Sequence, residues 1–199
     1  MGRRSIHTHE ELRTLILEAA EAIIVEHGLK GLSARDIAKR ISYSPGTIYN
    51  VFQNLDDVIL HVEARVLDAL DVRLASVSPE GTVVDHLRRL AAAYLAFTHE
   101  HRRLWNLLFE HHMPIGFDLP AWYQAKLEGP MARVEVAMRP LFPNDDIGCK
   151  RASRVLWAGV HGITSLSTAD KLSVMTTEAA ALLVDDLVSN YLAGLHANR

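Results

Sequence analysis

The chain has 199 residues, of which 49% are hydrophobic and 23% are charged, so it can bury a sizeable core in one large or two small domains. Its single cysteine, Cys149, excludes an internal disulfide framework and suits a reducing cytosol. The net charge of −3 argues against a protein that coats nucleic acid without specificity. The sequence shows no signal peptide and no apolar run of ~20 residues, so it predicts a cytoplasmic protein with no membrane partner.

Helical spacing predicts a first helix between Thr8 and Gly28. Thr8 and Glu11 have the spacing of a capping box, and Gly28 is a suitable C-terminal stop. The apolar positions of this segment recur at helical spacing: Leu12, Ile16, Ala19, Ala20, Ile23 and Ile24. Arg3 and Arg4 precede the helix and would form a basic arm. We expect the helix to brace the segment that follows.

The segment Gly31–Phe52 contains two short helical patterns with almost nothing between them. Ser33 and Asp36 form a capping pattern for the first, and Ser44, with its hydroxyl as cap, begins the second with Pro45 at the first helical position. The inward stripes consist of Ile37, Ala38, Ile41, Ile48, Val51 and Phe52. The outward face of the second helix consists of Gly46, Thr47, Tyr49 and Asn50. This pattern fits a helix-turn-helix, whose second helix reads base edges, although a plain αα-hairpin has the same apolar spacing.

Two stretches carry a family resemblance: Ser-Pro-Gly-Thr-Ile-Tyr-Asn-Val-Phe at 44–52 and Gly-Leu-Ser-Ala-Arg-Asp-Ile-Ala at 31–38. Together they resemble the DNA-binding domain of TetR-family transcriptional repressors. The resemblance implies that Ser33 and Tyr43 touch phosphates and that Arg35 reaches a guanine edge. The rest of the implied DNA-binding set is Ser44, Gly46, Thr47, Tyr49 and Asn50. The chain departs from the family at Leu55, where a phosphate-binding lysine is usual, and at Ser42, where many relatives have glycine.

Charge is distributed unevenly along the chain. Between Gly28 and Asn54 four basic residues face one acid, for a net +3, whereas the part beyond Asn54 carries −4. A basic module on an acidic body is typical of a sequence-specific DNA binder, although an asymmetry of this size also arises by chance.

Further helices are predicted along the remainder. Asn54 with Asp57 caps a fourth helix, and Ser78–Gly81 is a break. The later predicted helices run from Thr82 through Leu95, from Arg102 to His111, from Ala121 to Met138, from a cap at Asn144 through Gly162, and from Thr177 to Leu195. No segment alternates like a strand. The predicted fold is therefore all-α, with a three-helix DNA-binding domain at 1–54 and a helical effector-binding and dimerisation domain at 55–199.

The segment Trp157–Ile163 resembles the Trp-His-Gly motif of one TetR subgroup. Its small residues leave one side of the helix bare, so that another helix can approach closely. The resemblance implies a four-helix homodimer interface, for which we predict Gly159, Gly162, Ile163, Leu183, Leu187 and Tyr191. The alternative is that these residues pack inside one protomer. Dimerisation also follows from function, because two recognition helices are needed to read a palindromic double-stranded DNA operator with half-sites ~34–36 Å apart.

An aromatic and polar set in the body is the predicted pocket for a small hydrophobic or aromatic effector. Its members are Trp105, Phe109, His112, Met113, Phe117, Trp122, Tyr123, Trp157 and His161. The family resemblance implies such a pocket among the central helices. The alternative is that these side chains simply fill a core.

Enzymatic and metal-binding patterns are not found in the sequence. The adjacent and i, i+2 histidine pairs point to different helix faces, and His-Glu-x-x-His, Gly-x-Ser-x-Gly and glycine-rich phosphate loops are absent. We therefore predict no catalytic residues, no metal and no cofactor. Two rival interpretations stay open: a helical enzyme with a vestigial head, and an architectural protein that binds DNA without sequence preference.

Overall fold

The computed structural model describes residues 7–114 and 116–197, and the regular secondary structure of these residues is helical, with no strand. Ten α-helices and two 3-10 turns, Leu29–Gly31 and Arg139–Leu141, make up this described part. The helices are α1 His9–His27, α2 Ala34–Arg40, α3 Pro45–Tyr49, α4 Leu55–Ala75, α5 Val83–Glu100, α6 Arg102–Glu110, α7 Ala121–Met138, α8 Asp146–Thr168, α9 Leu172–Met175 and α10 Ala180–Ala197. The predicted all-α class is confirmed. Arg3 and Arg4 lie outside the described residues.

The described residues form two compact units. The first comprises those of Met1–Val66 and Arg103–Tyr123, and the second those of Leu67–Arg102 and Gln124–Arg199. Helix α4 therefore contributes residues to both units. The boundary that the sequence predicts after Asn54 stays a prediction.

Capping side chains begin the helices where the sequence predicts them. The Thr8 amide donates to Glu11 Oε2 at 2.7 Å, and the Glu11 amide donates back to Thr8 Oγ1 at 3.2 Å. The Asp57 amide donates to Asn54 Oδ1 at 2.8 Å at the start of α4. These bonds satisfy amides that have no partner within the helix, which explains why the starts were predictable.

Helices α8 and α10 begin later than predicted. The cap of α8 is Asp145 rather than Asn144, because the Gly148 amide donates to Asp145 Oδ1 at 2.7 Å. The last helix begins at Ala180 rather than Thr177, since the Thr176 hydroxyl accepts from the Glu178 amide at 3.1 Å and holds a local turn there. The short α9 was not predicted.

Each unit has its own interior. In the first, α1, α2 and α3 pack around side chains that include Ile16, Ile37, Ile48 and Phe52, all at most 2% exposed. In the second, α10 packs against α5 and α8. Cys149 on α8 is also buried there, at 1% exposure.

No helix in the described ranges is long and apolar enough to cross a bilayer.

Candidate nucleic-acid interface and effector cavity

The turn between α2 and α3 is a two-bond C-terminal cap centred on Ser42. The Tyr43 amide donates to the Ala38 carbonyl at 2.9 Å, and the Ser42 amide donates to the Lys39 carbonyl at 3.3 Å. This pairing is the Schellman arrangement, which places its central residue in the left-handed region. Ser42 accordingly has φ of +61°. The serine therefore adopts the conformation that glycine, present in many of the resembled sequences, adopts without cost.

Helix α2 begins with Ser33, whose hydroxyl is already engaged. The Asp36 amide donates to Ser33 Oγ at 3.1 Å, and the Ser33 hydroxyl donates to the Asp36 carboxylate. Arg35 is exposed on the first turn, and its guanidinium has no ion-pair or hydrogen-bond partner in the part of the chain that the structure describes. A free, exposed arginine at this position is available to an external acceptor.

Helix α3 presents polar groups on the side opposite its buried anchor, Ile48, which is fully buried. Tyr49 is 52% exposed, and Gly46 and Asn50 are also exposed. Within the described residues the side chains of Tyr49 and Asn50 make no hydrogen bond. Thr47 is half-buried. The structure thus brings the predicted α3 residues onto one outward surface, while their contacts with bases stay a prediction.

The predicted side-chain cap at Ser44 is wrong. Ser44 stands before Pro45 at the start of α3, but its side chain makes no cap bond to the backbone. Its Oγ lies 3.0 Å from Thr47 Oγ1 instead. The two hydroxyls therefore hold each other on the exposed side of the helix.

Tyr43 lies in the turn between α2 and α3, and Leu55 is the first residue of α4. The Tyr43 hydroxyl lies 2.6 Å from His7 Nδ1, so it is already hydrogen-bonded, and its predicted phosphate contact stays a prediction. Leu55, at the position of the family's usual lysine, packs against the core of the first unit. The leucine side chain has no hydrogen-bond donor or charge for a phosphate, so it cannot replace the lysine that is usual at this position.

One ion pair reduces the free positive charge of the basic segment between Gly28 and Asn54. The Arg40 guanidinium donates to both carboxylate oxygens of Glu26, and this hydrogen bonding lowers the pKa of Glu26. Lys30, Arg35 and Lys39 have no ion-pair partner in the described ranges. Three of the four basic residues of the segment are therefore available to phosphates.

A buried polar cluster lies elsewhere in the first unit. Glu63, 2% exposed, accepts from the Tyr123 hydroxyl at 2.7 Å, and its other oxygen lies 3.0 Å from His111 Nδ1. His111 Nε2 lies 3.3 Å from Asp56 Oδ1. Burial lowers the pKa of His111, but the hydrogen bonds and charges of Glu63 and Asp56 outweigh it and leave that pKa raised. The His111 ring thus lies between two carboxylates, which favour its protonated form.

The residues predicted to line an effector pocket divide between the two units. Seven lie in the first unit: Trp105, Phe109, His112, Met113, Phe117, Trp122 and Tyr123. Trp105 and Tyr123 are buried, Trp122 lies 4.4 Å from the His61 ring, and Phe109 and Phe117 are 46% and 44% exposed. Trp157 and His161 lie in the second unit. The part that all nine play in effector binding stays a prediction.

An apolar cavity of about 40 Å³ lies within the second unit. Its walls are Leu70, Leu74, Leu87, Leu90, Ala91, Tyr94, Pro130, Val134, Leu156, Trp157 and Val160. The Tyr94 hydroxyl lies 2.7 Å from His161 Nδ1, and the His161 ring stacks on Trp157 with 5.0 Å between centroids. Burial lowers the pKa of His161, which favours its neutral form. Of the predicted set, only Trp157 is among these wall residues, because the walls are mostly aliphatic.

Two glycines of the predicted dimer interface have different surroundings. A Cβ on Gly159 would lie 2.8 Å from Leu187 Cδ2, so α10 packs against α8 at this point within one chain. A Cβ on Gly162 would meet nothing within 4 Å. On the side of Gly162, α8 exposes Val155 and Leu166 at 52% and 37%.

The remaining residues predicted for the interface are the half-buried Ile163, Leu183 and Tyr191. The Tyr191 hydroxyl donates to the Ala152 carbonyl at 3.1 Å, again within one chain. Their part in a dimer stays a prediction.

Comparison with known proteins identifies two matching regions. Residues 16–62 match the family described as "Bacterial regulatory proteins, tetR family". Residues 87–191 match the family described as "Tetracyclin repressor-like, C-terminal domain". The two matches together span the helix-turn-helix and most of the second unit.

Individual proteins resemble nearly the whole chain. A curated relative, the uncharacterized HTH-type transcriptional regulator Rv0681 of Mycobacterium tuberculosis, is 25% identical over 183 residues, covering 92% of this chain and 81% of that protein. A solved protein with unknown function from Rhodococcus sp. RHA1 superposes with a TM-score of 0.77 at 21% identity, covering 97% and 98% of the two chains. The regulator FadR of Bacillus subtilis, solved with stearoyl-CoA, superposes with a TM-score of 0.70 at 15% identity, covering 91% and 98%.

Proposed function

Because the chain belongs to the TetR family of transcriptional regulators, we propose that it is a homodimeric repressor that a small apolar effector releases from its operator. The family consists of regulators rather than enzymes, and we expect no catalytic activity, no metal and no cofactor in this chain. We place its action in the cytoplasm, where the bacterial chromosome lies.

The outward face of α3 carries this proposal. Tyr49 and Asn50 project from a helix anchored by the buried Ile48, and neither side chain is engaged within the described residues. Hydrogen-bonding groups of this size, on the second helix of a helix-turn-helix, fit the edges of bases in the major groove. Arg35 adds a free guanidinium, the group that most often recognises guanine.

A palindromic operator requires two such faces, and the exposed side of α8 supports pairing of two copies. Val155, Gly162 and Leu166 lie on that side, and a Cβ added at Gly162 would meet no neighbouring side chain or helix within 4 Å in the described residues. Small and aliphatic residues at helical spacing allow a second helix to approach closely. We propose that α8 and α10 of two protomers pack together there.

The cavity of the second unit is the proposed effector site. Its apolar walls favour a hydrophobic ligand, and the acyl-CoA bound by the B. subtilis FadR supports an acyl chain as the apolar part. At about 40 Å³ the cavity holds little more than a water or two, so the walls must part before an effector enters. An effector that binds only the expanded form shifts the population toward it, and release follows if that form fits the operator less well.

Selection of bound sequences from a random duplex pool tests this function. We expect a two-fold symmetric consensus, bound roughly 10³-fold or more tightly than random duplex. Tyr49→Ala should abolish that preference while the circular dichroism stays unchanged. Val25→Ala, which removes an apolar side chain of similar exposure in the same unit and outside the predicted sites, is the control and should bind as the wild type does. Equal affinity for every duplex would contradict specific regulation.

A further inference from the structure

A solvent-open groove of about 480 Å³ adjoins the apolar cavity of the second unit. Its walls are Asp71, Leu74, Ala75, Val77, Pro79, His86, Leu90, Gly129, Ala132, Arg133 and Val136. Leu74 and Leu90 belong to the walls of both the groove and the cavity. The two spaces are therefore neighbours that share these side chains as a partition.

Helix α7 forms part of both walls. Gly129 and Arg133 line the groove, whereas Pro130 and Val134 line the cavity. Pro130 lies inside the helix and has no amide hydrogen, so it cannot donate to the Lys126 carbonyl one turn earlier. Loss of that bond weakens α7 beside the partition, where a ligand would have to pass from the groove into the cavity.

The polar part of the groove centres on one bidentate ion pair. Arg133 Nε lies 2.6 Å from Asp71 Oδ1, and Arg133 Nη2 lies 2.7 Å from Asp71 Oδ2. Both side chains are partly exposed, at 38% and 29%. The guanidinium fork that donates two N–H groups to the Asp71 carboxylate can donate them equally well to a ligand carboxylate or phosphate. Asp71 can turn toward solvent when it is displaced.

We propose that this groove is the entrance to the effector cavity and that Arg133 binds the anionic end of an amphipathic effector in place of Asp71. The proposal rests on the cavity assigned above as the effector site. An anion cannot follow the apolar chain inward, because burying an unpaired charge among aliphatic side chains is costly. The charged group therefore stays in the groove, on the one cation among its wall residues.

Displacement of the neutral fluorescent probe N-phenyl-1-naphthylamine measures how tightly competing ligands bind the cavity and the groove. The competitors are dodecanoate, dodecyl phosphate and dodecan-1-ol, which share one chain length and differ in their end group. We expect both anions to bind the wild type more tightly than the alcohol. The stronger of the two shows whether the groove prefers a carboxylate or a phosphate.

Four variants test whether the Arg133–Asp71 pair itself determines the affinity for the anions. Arg133→Gln should weaken both anions roughly ten-fold to hundred-fold and leave the alcohol unchanged. Arg133→Lys keeps the positive charge but not the two parallel donors, so its affinity for the anions should lie between those of the wild type and Arg133→Gln. Asp71→Asn should strengthen the anions, because it frees the guanidinium. Asp68→Asn is the matched control: it breaks the exposed Lys126–Asp68 pair between the same two helices, outside the groove, and should change nothing.

Two results would overturn the inference in distinguishable ways. If the probe binds but Arg133→Gln and Asp71→Asn leave the anion affinities unchanged, the head-group site is wrong and the proposed effector cavity stands. If neither probe nor competitors bind, the cavity assignment fails and this inference fails with it. Melting temperatures of all variants establish that each protein is folded.

Discussion

Ser42→Gly should make the protein more stable, because residue 42 adopts a left-handed backbone conformation that glycine enters freely. A non-glycine residue in this region costs roughly 1–2 kcal/mol. Glycine, however, has more conformational entropy in the unfolded chain, which stabilises that state by about 0.4–1 kcal/mol and offsets part of the gain in the folded state. The serine side chain is exposed and makes no hydrogen bond within the described residues, so its removal costs little. We expect a net gain of about 0.5–1 kcal/mol.

Urea unfolding at one fixed protein concentration measures this gain as a higher midpoint with an unchanged slope. The melting temperature should rise by about 1–4 °C, as the size of the chain implies. Ser42→Ala is the control, since alanine keeps the left-handed cost and should bring no gain. A glycine variant no more stable than the wild type would refute the backbone argument.

Three other substitutions test separate features. Gly28→Ala should cost about 1–3 kcal/mol in urea unfolding, because Gly28, at φ 75° and ψ 178°, lies in a region nearly restricted to glycine; unchanged stability would contradict this. Arg35→Ala should weaken operator binding by roughly 1–3 kcal/mol and relax one base pair, whereas equal loss on all duplexes would assign Arg35 to phosphate. His111→Gln should destabilise the protein more at low pH than at high pH, because the pKa of His111 is raised in the folded state. The stability that protonated His111 contributes is complete below about pH 6.5 and disappears as the pH rises through the raised pKa. A pH-independent difference from the wild type would exclude a charged His111.

Helix starts were predictable because their signals are local. Thr8, Asn54 and Thr82 each cap a helix through an acceptor three residues from its donor, a spacing that can be read directly from the sequence. The cap of α8 was misplaced by one residue, since Asn144 and Asp145 are both good caps and only the fold selects between them. At Ser44 a competing side chain, Thr47, is engaged in place of the backbone.

The cavity could not be located from the sequence, because its walls come from helices far apart in the chain. Leu70, Leu87 and Tyr94 all lie in predicted helices, but helical periodicity does not tell which apolar side chains face a gap. The sequence pattern favours aromatic residues from α6 to the start of α7 instead, and all of these lie in the other unit. The exposure of Gly46 and Tyr49 on α3, by contrast, follows from the sequence, because a five-residue helix with one buried isoleucine leaves few alternatives.

The burial of Cys149 makes the protein convenient for distance spectroscopy. The only thiol of the chain is 1% exposed, and its sulfur lies 3.5 Å from the Glu135 carbonyl oxygen. Maleimide or methanethiosulfonate labels will therefore not react with Cys149 in the native protein but will react with a cysteine introduced at the exposed position of Asn50. Two nitroxides placed in this way, one on each copy of the proposed dimer, would report the separation of the two α3 helices before and after an effector is added, without any prior removal of the native cysteine.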